Sequence, residues 1–249
     1  TFWLLFFLLV TACQPVETSR ASTQTALRVE LSPSLEYLSP AIQACSLQSG
    51  NLNIIMEEKP ANEMSKTRAD VSLRLGDRQI PAGMKTYRLG SDRLVLAVHK
   101  NNPIEKLKVD QAFFLIRGGL ATWGDAIKQF CPECTASDTY LSSTIEPWQY
   151  TPGTDVFSEV ANLSLESPSA SLGRVWITPG SKSLAEAITN NPSAIGWLPA
   201  RWLNENLKEI AIEGIDSALQ VIPVLAVTPQ QPQSVLQEWL HCLQSSYNN

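Results

Sequence analysis

The sequence has little of what catalysis or nucleic-acid binding requires. It holds only two histidines, His99 and His241, far apart along the chain. No nucleophile–base pair, nucleotide-binding glycine motif or metal-ligand cluster accompanies them. No catalytic residue, metal site or cofactor is therefore assigned, and the chain reads as a non-enzyme. Its 19 Lys and Arg are outnumbered by 24 Asp and Glu, a net charge of −5. Without a basic cluster or basic–aromatic interleaving, nucleic acid is excluded as the expected partner. Beyond the first ten residues no long apolar run occurs, so nothing else is expected to cross a membrane. His99 lies inside an apolar strand pattern and reads as a packed histidine. A chain of 249 residues has room for one large domain or two small lobes.

What is present starts with Thr1 to Val10 (TFWLLFFLLV), almost wholly apolar and too short to span a bilayer comfortably. This is the apolar core of a secretory signal over 1–12, and without Met or a basic flank its beginning is expected to be missing. Val10-Thr11-Ala12-Cys13 fits the bacterial lipobox, in which Cys13 is acylated and becomes the new N-terminus. An ordinary cleaved signal with an adventitious cysteine is the alternative. The polar segment that follows, within 13–25, buries too little to order itself and reads as a tether to the outer face of the cell membrane. Four cysteines then remain for an oxidising compartment, Cys45, Cys131, Cys134 and Cys242, an even number that suggests disulfides. The Cys131-Pro132-Glu133-Cys134 spacing suits a redox motif, half a zinc site or a short loop-closing bridge. Cys45 and Cys242, near the ends of the first and last expected helices, form a plausible second pair.

Strand and helix patterns alternate along the rest. Ala26–Ser32 alternates apolar and polar, and Ser32-Pro33-Ser34 opens a helix with Leu35, Leu38, Ile42 and Leu47 on one face, stopping at Gly50. Leu52–Met56 and Ala69–Leu75 are further strands. The strand–helix–strand order predicts a parallel, right-handed connection and an α/β class. The serine turn offers hydroxyl and main-chain donors to an anion, or simply caps its helix. Arg74, near a strand end, suits an anionic ligand or an ordinary ion pair. Residues 94–125 read as strand, Asn-Asn-Pro turn, helix 107–117 and a Gly118-Gly119 stop. Further strands are expected at Thr144–Trp148, Arg174–Pro179, Pro192–Leu198 and Ile222–Val227. Helices are expected at Asp155–Leu163, Leu184–Thr189 and Gln233–Ser245, with Trp176, Trp197 and Trp239 packed in the core.

The order Leu96-Ala97-Val98-His99, Asn102-Pro103, Leu107, Asp110-Gln111, Phe114, Gly118, Trp123-Gly124-Asp125 resembles a landmark of phosphate-binding-type extracytoplasmic solute-binding proteins. In those type II periplasmic binding proteins a strand "LAVVVHxxNP" precedes "LTxEQLxxIFxGxIxxWxD". Pro192 to Leu198 (PSAIGWL) is similar to the same family's "pgaIGYv". Tyr150 to Phe157 (YTPGTDVF) resembles its "RxxGSGTxxxF" anion turn, with Pro152 in place of a serine and no arginine upstream. Lys59–Arg68 lacks the family's Gly-Ser-rich run. The resemblance implies a two-lobed α/β fold with a mixed sheet in each lobe and a cleft between them. Lobe 1 would comprise 26–92 and 221–249, and lobe 2 would comprise 93–220. It also implies a monomeric lipoprotein that captures a small solute, an oxyanion such as phosphate, for an ABC importer permease. Ser32, Ser34, Gly153 and Thr154 would contact the ligand, with Arg74 and Thr151 beside them. A lipoprotein sensor or interaction protein that kept the fold without tight phosphate binding is the other reading.

Overall fold

The computed structural model describes residues 26–50, 52–64, 69–163, 171–215 and 217–248. The signal, Cys13 and the tether over 13–25 lie outside the described residues.

The chain opens with β1 (Ala26–Leu31), whose inward residues Leu27, Val29 and Leu31 are buried. The single helix expected after Ser32 is two pieces, a 3-10 segment over Pro33–Leu38 and then α1 (Ser39–Gln48). Pro40 explains the break: it donates no N–H to the turn before it and so sits in the first turn of α1, where none is needed. Leu47 is consequently 69% exposed instead of facing the core, and Ile42 and Cys45 fill the buried face.

Next come β2 (Asn53–Glu58), the short α2 (Ala61–Met64) and β3 (Val71–Leu75). Both strands run parallel to β1, one on each side. β2 is the sheet edge and leaves Ile55 and Met56 exposed, whereas all five residues of β3 are buried.

β4 (Lys85–His99) organises the molecule. At about 3.3 Å per residue it runs roughly 50 Å, enough to serve both halves. Its first part, 85–93, pairs antiparallel with the late strand Val221–Thr228. Its last part lies between Ala194–Pro199 and Leu207–Glu213. The second half continues with β5 (Lys106–Lys108), α3 (Val109–Ile116), α4 (Trp123–Phe130), α5 (Asp138–Leu141), β6 (Glu146–Tyr150), α6 (Asp155–Leu163) and β7 (Trp176–Thr178). It closes with α7 (Ser181–Asn190), β8 (Ala194–Pro199) and β9 (Leu207–Glu213). α8 (Ser217–Gln220) and β10 (Val221–Thr228) return the chain to the first sheet, where α9 (Ser234–Asn248) ends it.

The strand path is β2-β1-β3-β10-β4-β8-β6-β7, with β9 and β5 branching from β4. Each half mixes parallel and antiparallel pairs, so two mixed sheets share one continuous strand. β9 and the early part of β4 are absent from the sequence reading.

The 94–125 stretch folds as its punctuation predicts. Asn102 is buried and its side chain accepts the Ile104 N–H at 2.9 Å, while Gly118 turns with φ +78° at the end of α3. Trp123, Trp197 and Trp239 are fully buried. Trp176 is a correction, since it sits on the edge strand β7, 37% exposed, stacked on Trp148 at 5.7 Å under the Arg174 guanidinium. Cys45 and Cys242 form a disulfide between α1 and α9, and Cys131 and Cys134 form another at the end of α4.

Candidate functional site

The strand end Leu75 of the first half meets the start of α6 in the second. Two segments meet there. On one side lies the turn Ser32-Pro33-Ser34, which the end of β1 delivers, with Ser32 and Ser34 buried. Its geometry is held internally, since the Ser32 hydroxyl accepts the Ser34 N–H at 3.3 Å. On the other side lies Thr151–Asp155, the turn between β6 and α6.

Asp155 joins them. Its Oδ1 accepts the Ser34 hydroxyl at 3.2 Å and its Oδ2 accepts the Leu75 main-chain N–H at 2.9 Å. The N–H of Val156, in its own helix, adds a bond of 2.8 Å to Oδ1, and the Ser32 hydroxyl lies near enough to favour the charged form. The side chain is 4% exposed. Burial raises the Asp155 carboxyl above the ordinary carboxylate range, and Ser32, with the hydrogen bonds from Leu75, Val156 and Ser34, pulls it back toward ionisation. The Ser34, Leu75 and Val156 donors point at the carboxyl oxygens, the arrangement that a carboxylate or another oxyanion accepts.

Arg74 stands beside this group, 2% exposed. Its guanidinium donates to the Gln79 carbonyl at 2.9 Å and to the Ala61 carbonyl. Its Nε–H has no partner. Burial lowers its pKa, while the charges of Asp155 and Glu30 raise it, so the residue lies within the field of the Asp155 carboxylate without bonding to it.

Further contacts fasten the same seam. Asn62 N–H donates to the Gly153 carbonyl at 3.0 Å. Gly153 has φ +95°, and a Cβ there would come within 2.3 Å of the Asn62 amide, so both conformation and close approach demand glycine. Lys182 meets Glu36 at 2.7 Å and Arg78 meets Glu159 at 3.4 Å. At the far corner the Trp202 indole donates to the Ser34 carbonyl at 2.8 Å.

The residues expected to contact a ligand are thus spent differently. Ser32 and Ser34 face the seam and hold Asp155. Thr154 is an internal cap: its hydroxyl donates to the Thr151 carbonyl at 2.9 Å and accepts the Phe157 N–H at 3.3 Å. Thr151 is exposed, and its hydroxyl bonds the Thr178 carbonyl at 3.2 Å. The sequence reading overlooked Asp155, taking it only for the first residue of a helix, although an acid directly after a Gly-Thr turn was the available signal. Asn62, Leu75 and Trp202 left none, because they act through main chain or through the fold.

Elsewhere, a cavity of about 30 Å³ lies within the second half, walled by Phe113, Ile116, Trp148, Phe157 and Trp197. The indole N–H groups of Trp148 and Trp197 have no partner. The space equals about one water's share of liquid volume, too small for a solute. Cys131, Glu133 and Cys134 cluster as metal ligands would, but the two sulfurs are bonded to each other and are not thiolates. Among the described residues no helix is long and apolar enough to cross a membrane.

No family model matches the chain, and no curated protein does. Solved structures do. One is described as a phosphate ABC transporter substrate-binding protein from Clostridium perfringens, with phosphate bound. It superposes with TM-score 0.70 at 14% identity, covering 88% of this chain and 93% of that one. An ABC-type phosphate transport receptor from Vibrio cholerae gives 0.60 at 13% identity, over 89% and 94%. A sulfate-bound regulatory domain of an OxyR2 variant from Vibrio vulnificus gives 0.58 at 12%, over 89% and 96%. At these identities the likeness is one of fold: the chain has the two-lobed α/β architecture of type II periplasmic binding proteins, found in transport receptors and in a regulatory domain alike.

Proposed function

We propose that the protein is an extracytoplasmic solute-binding lipoprotein that captures a small ligand between its lobes and delivers it to the permease of an ABC importer. The observation that carries the reading is the convergence of the Ser34 hydroxyl and the Leu75 N–H from one lobe on an anionic group presented by the other. This is an anion seat on an interlobe seam, and it makes a small oxyanion such as phosphate the ligand class. The two transport receptors of similar fold, both described as phosphate proteins, favour the same class. Lobe 1 comprises 26–92 and 221–249, lobe 2 comprises 93–220, and the ligand contacts are Ser32, Ser34, Gly153 and Thr154, with Arg74 and Thr151 beside them.

Two disulfides support residence outside the cytoplasm, and Cys13 is the lipid-bearing residue that would hold a monomer at the membrane. The role in this reading is binding rather than catalysis.

A second reading, a sensor or interaction lipoprotein without tight phosphate binding, is favoured by one observation. Asp155 already fills the seat, and Pro152 offers no N–H where the resembling turn has a serine. Calorimetric titration of the protein with phosphate, sulfate and molybdate separates the two. Saturable binding of one of them, weakened at least tenfold by Ser34→Ala, is the expected result. Silence with all three would transfer the protein to the second reading.

A further inference from the structure

Asp155 makes the contacts of a ligand while belonging to the protein. Its carboxylate crosses from the first residue of α6 to the opposite lobe, and there takes the Ser34 hydroxyl at 3.2 Å and the Leu75 N–H at 2.9 Å. Both donors lie more than 75 residues away in sequence. At 4% exposure the carboxylate leaves no space beside it for a second anion, and two like charges at contact distance would repel strongly where water is excluded.

We propose that the Asp155 carboxylate is a built-in occupant of the interlobe anion seat, which holds the lobes shut without ligand and which a free oxyanion must displace in order to bind. The inference rests on the reading of the seam as an anion site.

Three features fit a displaceable occupant better than a permanent strut. The contact that Asp155 itself makes consists of hydroxyl, amide and carboxylate groups, each of which recovers hydrogen bonds from water on opening. Arg74 would stay behind in lobe 1, buried and with its Nε–H unspent, so an emptied seat keeps a positive charge that attracts the next anion. Of the flanking fasteners, Lys182 with Glu36 joins solvent-reached side chains and releases readily, whereas Arg78 pairs with a mostly buried Glu159. An oxyanion in the seat would satisfy the same donors that Asp155 does. The lobes would then shut on ligand with the carboxylate turned away, or shut on Asp155 with no ligand.

The test pairs calorimetry with small-angle X-ray scattering on the wild type, Asp155→Ser, which clears the seat, and Asp155→Asn, which keeps its volume and removes its charge. Melting curves verify that both variants fold. Without ligand, Asp155→Ser is expected to have a larger radius of gyration than wild type, and phosphate or sulfate is expected to contract it to the wild-type value. Anion affinity is expected to rise at least tenfold in Asp155→Ser and to a lesser degree in Asp155→Asn. Variants as compact as wild type in the absence of ligand would overturn the proposal. Wild type binding phosphate as tightly as Asp155→Ser would also overturn it and leave the oxyanion reading standing. An Asp155→Ser protein that opens but takes neither anion would uphold the latch and overturn the oxyanion reading beneath it.

Discussion

The two lobes touch at two places of opposite chemistry. At the corner near the end of β8, Arg201 lies 3.9 Å from the ring centroid of Tyr247 and 6.0 Å from that of Tyr37. Tyr37 meets Trp202 edge to face at 5.9 Å, and the Tyr247 hydroxyl donates to the Ser91 carbonyl at 2.9 Å. Burial drives the Tyr37 hydroxyl well above the tyrosine range. At the seam, in contrast, Asp155 meets Ser34 and Leu75 through hydrogen bonds, with Arg74 beside them. Opening the corner would strip aromatic area from its packing, whereas opening the seam exchanges one set of hydrogen bonds for another with water. One contact suits a pivot that stays closed, the other a joint that opens.

If that contrast is right, the corner should dominate stability. Tyr247→Ala removes a 4%-exposed ring, its stacking on Arg201 and its bond to Ser91, and is expected to cost about 3–5 kcal/mol, read from the urea midpoint. A loss under about 1 kcal/mol would erase the distinction. Breaking the Cys45–Cys242 bridge, which ties α1 to α9 beside that corner across 197 residues, should cost about 2–5 kcal/mol when both cysteines become serine, measured the same way.

The seam should respond weakly in stability and strongly in shape. Ser34→Ala deletes one donor to Asp155 and is expected to cost only about 1 kcal/mol in the same urea assay, well below Tyr247→Ala. Equal losses at both places would merge them into one rigid interface.

The smallest effect is in pH. Burial raises the carboxyls of Asp155, Glu159 and Asp92 in the folded protein. The native chain therefore holds protons that the unfolded chain releases above about pH 4. Stability is fullest below that pH and declines as pH rises through the folded values. Around Asp155 the groups that share this field are Arg74, Tyr150 and Glu159. Thermal midpoints between pH 4.5 and 7.5 should fall gently in the wild type and less steeply in Asp155→Asn. A midpoint that climbs across that interval would place the carboxyl below its ordinary value.

The elements of this fold whose periodicity is local were readable in the sequence. β1, β3, α3, α6 and β8 stand where alternation, caps and glycine stops put them, and the Asn102-Pro103 and Gly118 punctuation held its meaning. The extension of β4 to Lys85 was hidden, because its KTYRLGSD stretch is half polar and becomes a strand through pairing with β10. β9 is similarly fixed by β4 and β5 rather than by its own pattern. At the site, the 32–34 and 151–155 turns were visible as anion-turn chemistry. That Thr154 spends its hydroxyl on a cap while Asp155 reaches the other lobe was not, since it depends on the angle at which α6 meets β3. Trp176 misled for the same reason: an aromatic in a strand pattern says nothing of whether the strand is an edge.

The most direct test of the seam is amide hydrogen exchange at Leu75, whose N–H is bonded across the lobes to Asp155 at 2.9 Å. In the ligand-free wild type the Leu75 amide should be protected, and in Asp155→Ala it should exchange at least tenfold faster while Val71 and Leu73 in the same strand keep their protection. Unchanged protection at Leu75 in the variant would contradict the account.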